Sequence, residues 1–78
     1  MKKWEITYEG SRIKVENEWN RERLYINDTL HDEGFGLASR SKLIGRLPDG
    51  KLVKVTIASG VWSVQCSIFV EENEILRG

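Results

Sequence analysis

Pro48-Asp49-Gly50-Lys51-Leu52-Val53-Lys54-Val55-Thr56-Ile57-Ala58 is the stretch on which the fold turns. Val53, Val55 and Ile57 share one parity with Lys54 and Thr56 between them. β-branched residues at period two fit a pleated strand with one face in a core. Proline presets the first turn angle and glycine supplies a positive one, so Pro48-Asp49-Gly50 closes a hairpin in front of that strand. The other arm is Arg40 to Leu47, where Leu43, Gly45 and Leu47 share a parity and Lys42, Ile44 and Arg46 take the opposite face.

The same alternation runs outward in both directions. Downstream, Ser59-Gly60 breaks the strand. Val64, Cys66, Ile68 and Val70 then alternate with Ser63, Gln65, Ser67 and Phe69 in a strand from about Trp62 to Glu71, a turn falls at Glu72-Asn73, and Ile75-Leu76 is a short return. Upstream, Trp4, Ile6 and Tyr8 line one face of a strand over residues 3–9. Gly10-Ser11 turns the chain into a partner strand over 12–18, carrying Ile13 and Val15. A turn at Asn20-Arg21 leads to a third strand with Leu24 and Ile26. Asn27-Asp28, both tolerant of left-handed backbone, predicts a tight hairpin into a short fourth strand from Thr29 to His31. Asp32 to Gly36 reads as a loop or bulge that turns Phe35 into the core, and Leu37 begins a strand.

No ten-residue stretch shows apolar spacing of three and four, so no helix of ordinary length is predicted, and no internal repeat stands out. The fold class is all-β: one domain over residues 1–78, an antiparallel meander of seven or eight short strands forming a β-sandwich or β-roll.

Composition narrows the function. The chain has 78 residues, enough for one core, so a site is expected on the surface instead of in a deep cavity. Twelve Lys and Arg balance twelve Asp and Glu. With the signs interspersed, no long-range field draws in nucleic acid. The longest apolar run, Ile68-Phe69-Val70, is far from a membrane span, and Lys2-Lys3 is followed by Trp4-Glu5 instead of an apolar signal core. The expectation is a cytoplasmic protein with no membrane partner. A lone cysteine, Cys66, allows no internal disulfide and no cysteine-based zinc site.

Catalytic and metal readings find little to stand on. His31, Asp32 and Glu33 group the only histidine with two carboxylates, but neighbours on a strand face opposite ways, so only His31 and Glu33 could converge. Cys66 has inward parity, where a thiol acts as a small hydrophobe. The serines lie in no nucleophile elbow, Ser39-Arg40-Ser41-Lys42 reads as a polar strand entry, and Gly34-x-Gly36 lacks the third glycine and helix of a phosphate cradle. Glu71, Glu72 and Glu74 read as a solvated turn. No catalytic residue, metal site or cofactor is expected.

The candidate binding surface is a basic strip. Arg40, Lys42 and Arg46, with Lys51 and Lys54 across the hairpin, fall on the outward face, and Ile44, Leu52 and Phe69 share that parity. Cations around exposed apolar groups are what a protein contact patch offers, while lysines on outer strands equally discourage edge pairing. Trp4 reads as core. Trp19 and Trp62, at strand ends, read first as rings that close the core rim and second as stacking platforms for a carbohydrate or small ligand.

The succession Trp4-x-Ile6, Gly10-x-x-Ile13-x-Val15-x-Asn17, Arg23-Leu24-Tyr25-Ile26-Asn27-Asp28, Leu43-x-Gly45 and Ile68-Phe69-Val70 resembles the Fas apoptotic inhibitory molecule family. That family carries a Val-Asp-Gly turn where Asn27-Asp28-Thr29 stands here. The resemblance implies a non-enzymatic sandwich of two antiparallel sheets that works through protein contacts. The chain also looks like small bacterial proteins of its length, from which no site residue carries over. The expected function is therefore a protein-interaction module binding a partner, or itself, through a sheet face or edge. The expected contact residues are Arg40, Lys42, Ile44, Arg46, Phe69 and Trp62, and a carbohydrate or small-ligand module on the rim tryptophans is the alternative.

Overall fold

Period-two burial and turn residues coincide at eight places along the chain, and each becomes a strand. The computed structural model describes residues 1–35 and 40–78. Leu37, Gly36 and Ser39, which enter three of the readings above, lie outside the described residues. The strands are β1 (Lys2–Tyr8), β2 (Ser11–Glu18), β3 (Arg21–Ile26), β4 (Thr29–Phe35), β5 (Arg40–Arg46), β6 (Leu52–Ser59), β7 (Val64–Val70) and β8 (Asn73–Arg77). They form two antiparallel meanders, β1-β2-β3-β4 and β5-β6-β7-β8, and the described residues contain no helix. Trp4, Ile13, Val15, Leu24 and Ile26 from the first sheet meet Leu43, Val53, Val55, Ile57, Cys66, Ile68 and Val70 from the second in one buried layer. The molecule is thus a small β-sandwich, with each sheet placing alternate side chains inside.

Four expectations need correction. β4 does not stop at His31. A bulge opposite Leu24 and Tyr25 takes up His31 as an extra residue, after which pairing resumes with Leu24 opposite Asp32 and runs on to Arg21 opposite Phe35. Phe35 therefore ends a strand beyond the core and is exposed instead of turned inward. Trp19 and Trp62 do not close the rim either. They sit in the β2–β3 and β6–β7 connections, past the last inward-facing positions, and are 80% and 95% exposed. Three turns also fall one residue earlier than read, at Glu9-Gly10, Trp19-Asn20 and Glu71-Glu72. At the last of these, φ is positive for both glutamates, the pattern that matches the right-handed twist of a two-residue hairpin.

The two sheets repeat one another, which the sequence conceals. In the first, Ile13 pairs with Ile26 and Val15 with Leu24; in the second, Val53 pairs with Val70 and Val55 with Ile68. Asn27-Asp28 and Glu71-Glu72 are equivalent turns with positive φ, and each is followed by a bulge in its last strand. The Asn27 side chain accepts the Arg12 amide at 2.9 Å, and the Glu71 carboxylate accepts the Leu52 amide at 2.7 Å. Lys14 lies 4.7 Å from the Tyr25 ring, and Lys54 lies 5.0 Å from the Phe69 ring. Even the contacts between halves reciprocate: Gly34 backs onto Leu43, and Gly78 backs onto Trp4. What recurs is register and hydrogen bonding, carried by different side chains of like character.

Three polar links set which ends of the sheets lie together. The Ser41 hydroxyl donates to Glu22 at 2.6 Å, and the Lys2 ammonium donates to the Val64 carbonyl at 3.2 Å, joining the β2–β3 end of one sheet to the β6–β7 end of the other. At the opposite end Lys51 reaches Glu9 at 2.7 Å, between the β5–β6 and β1–β2 turns.

Candidate functional site

Antiparallel register converts the outward residues of the second sheet into cross-strand rows. Arg40 pairs with Ala58 and Ala58 with Gln65; Lys42 pairs with Thr56, Thr56 with Ser67, and Ser67 with Arg77. Ile44, Lys54, Phe69 and Glu74 make the next row, and Arg46 with Leu52 the last. Arg40, Lys42, Ile44, Arg46 and Phe69, separated by up to 29 positions in sequence, therefore share one sheet face. Trp62 does not lie on that face. It stands in the connection closed by the Gly60 amide donating to the Ser63 carbonyl at 2.7 Å, just beyond the Arg40 row.

The rows nearest Trp62 border an open depression of about 500 Å³, lined by Arg40, Lys42, Thr56, Ala58, Gln65 and Ser67. Small side chains in the middle strands create it, because Ala58, Thr56 and Ser67 leave the long Arg40 and Lys42 chains standing as its wall. Neither cation is in an ion pair among the described residues. Arg46 is committed differently, donating to the Gly50 carbonyl at 2.9 Å and so fastening its own turn. Across the face Arg77 donates to Glu74 at 2.8 Å, and that hydrogen bond holds the Glu74 carboxyl below its usual range.

Two residues depart from the expected strip. Lys51 leaves the face for Glu9 and Asp49 at the molecule's end. Arg77 joins the face unforeseen: the bulge between β7 and β8 shifts register by one residue, and parity counted from Ile75-Leu76 cannot anticipate it. The outward face of the first sheet offers a contrast. There Lys3, Glu16, Arg23 and Glu33 alternate in sign along one row, Arg23 and Glu33 pair at 2.6 Å, and Lys14 and Glu16 approach to 3.8 Å. That face neutralises itself.

The carboxylates beside His31 do not converge on it. Glu33 is bound outward to Arg23, while Asp32 accepts the Ile44 amide from β5 at 2.8 Å and the Glu33 amide at 2.8 Å. The His31 Cβ faces Gly45 instead. Among the described residues no three His, Cys, Asp or Glu side chains are placed to hold a metal ion. Cys66 is fully buried, and burial pushes its thiol up to about 12, away from nucleophilic use.

Comparison with family models, curated proteins and solved structures returns no match. Among the described residues no helix is long and apolar enough to cross a membrane.

Proposed function

We propose that the chain is a non-enzymatic interaction module that binds an acidic protein segment on the outward face of β5–β8. The observation that carries this reading is the pair Arg40 and Lys42, unneutralised beside an open depression of about 500 Å³, while the equivalent face of the first sheet is internally paired. With no ion pair among the described residues, Arg40 and Lys42 have no internal partner to give up on binding, and Ile44 and Phe69 add apolar surface in the adjoining row. The depression is shallow and open, suited to an extended chain more than to an enclosed small molecule. The resemblance to the Fas apoptotic inhibitory molecule family points the same way.

The test is titration of the ¹⁵N-labelled protein with a panel of acidic extended peptides. Shifts confined to the amides of Arg40, Lys42, Thr56, Gln65 and Ser67, and abolished in Arg40→Glu/Lys42→Glu, are expected. An unresponsive spectrum across the panel, or shifts centred on the first sheet, would remove the reading. The carbohydrate alternative draws on the exposure of Trp19 and Trp62. Quenching of the tryptophan emission by a soluble glycan, with no response to acidic peptides, would favour that alternative.

A further inference from the structure

The most exposed large apolar side chains gather at one end of the sandwich, whereas the less exposed Leu30 and Ile44 lie away from it. Trp19 is in the β2–β3 turn, Phe35 closes β4 opposite Arg21, and Val61 and Trp62 are in the β6–β7 connection. The Ser41–Glu22 and Lys2–Val64 links bring those segments to the same end of the sandwich. The two tryptophans moreover occupy equivalent connections of the two repeated sheets, although little else at those places is alike.

Charge divides along the same axis. Lys2, Arg21 and Arg40 belong to the aromatic end, where Glu18 lies 4.0 Å from Arg21 and Glu22 is engaged by Ser41. The opposite end carries the turns Glu9-Gly10, Asn27-Asp28, Pro48-Asp49 and Glu71-Glu72. Of the cations nearby, Arg12 is paired with Asp28, Lys51 with Glu9 and Asp49, and Arg46 donates to the Gly50 carbonyl, fewer than the five carboxylates Glu9, Asp28, Asp49, Glu71 and Glu72. A chain with no net charge thus has a cationic, aromatic end and an acidic one.

We propose that the aromatic end docks onto an anionic lipid bilayer, with Trp19, Phe35, Val61 and Trp62 entering the headgroup layer and Lys2 and Arg40 facing the anionic headgroups. Indole and phenyl rings favour the membrane–water interface, and each nearby cation gains from the negative surface potential. The acidic end then points away from the surface, so that the charge distribution orients the approach. A second copy of the chain fits this end less well, because a two-fold contact between copies would set one cationic end against another. Penetration of a bilayer by loop tips brings the same cations to opposite charge. The absence of a spanning segment does not bear on a contact of this kind.

The test is flotation with phosphatidylcholine vesicles, with and without phosphatidylserine, together with tryptophan emission. Co-flotation with the phosphatidylserine vesicles and a blue shift of the emission are expected, both weakened by salt. Trp19→Ala and Trp62→Ala remove side chains that pack on nothing in the core; each is expected to lower vesicle affinity about tenfold while leaving the thermal transition and acidic-peptide binding unchanged. The proposal is overturned by failure to float with either vesicle or by flotation indifferent to both substitutions. It is equally overturned by a blue shift that grows with protein concentration without lipid, which would assign the end to a second copy, or by quenching with a soluble glycan in place of vesicle binding.

Discussion

Gly45 on β5 approaches Ile26 on β3 so closely that a Cβ at position 45 would stand 2.9 Å from the Ile26 Cδ1 atom. The Leu24 Cδ2 and His31 Cβ atoms would each stand at 3.1 Å, so the intruding methyl has no direction of escape. A glycine in mid-strand is therefore what lets the two sheets close at this seam. Gly45→Ala is expected to destabilise the protein by about 1–3 kcal/mol. Ile26→Val in the same chain should recover part of the loss by removing the nearest atom. Urea denaturation of the two single variants and the double variant measures the coupling, and strict additivity would show that the crowding lies elsewhere.

The Asp32 carboxylate stands where a further strand would otherwise supply an acceptor for the Ile44 amide. Asp32→Ala leaves that amide to solvent at the seam between the sheets. A loss of about 0.5–1.5 kcal/mol is expected, together with faster hydrogen exchange at Ile44 and little change at Val55 in the sheet interior. Equal acceleration at both amides would mean that the bond acts globally instead of locally.

The Glu71-Glu72 turn carries side chains at φ of 48° and 71°, where its equivalent in the first sheet uses Asn27-Asp28. Asparagine and glycine adopt these angles with less strain, and an asparagine at the first position can accept the Leu52 amide as Asn27 accepts that of Arg12. Glu71→Asn/Glu72→Gly is expected to raise stability by about 0.5–1 kcal/mol. Differential scanning calorimetry should show a higher midpoint; a lower one would indicate that the Glu71 carboxylate contributes more than turn geometry.

Burial raises the Cys66 thiol from an ordinary 9.0 to about 12. Folding therefore favours the protonated form. Its contribution to stability is complete below pH 9 and declines as the pH climbs towards 12, because the unfolded chain releases the proton first. Between those limits wild type is expected to lose about 1.4 kcal/mol per pH unit more than Cys66→Ala does. Parallel denaturation curves for the two proteins in alkaline buffer measure the difference. A thiol reagent should label the native protein only at the rate of unfolding.

Strand identity was written plainly in the residues. Val53, Val55 and Ile57, Ile13 and Val15, and Val64 to Val70 alternate cleanly, since burying one face of a sheet imposes period two on the chain itself. The face shared by Arg40, Lys42, Ile44, Arg46 and Phe69 was legible for the same reason: parity is preserved wherever pairing is regular. Arg77 and the true extent of β4 were not, because a single extra residue at His31 or in β8 inverts every parity count beyond it.

The local sequence alone determined that this is an all-β chain, which residues line most of its core and, to within one residue, where its hairpins turn, because these follow from alternation and from φ preferences a few residues at a time. Tertiary structure alone decided that the chain divides into two repeated sheets, that Trp19 and Trp62 reach solvent at one shared end, and that acidic turns gather at the other. Those facts depend on how distant segments meet. The bonds from Ser41 to Glu22, Lys2 to Val64 and Lys51 to Glu9 span long stretches of chain that periodicity does not encode.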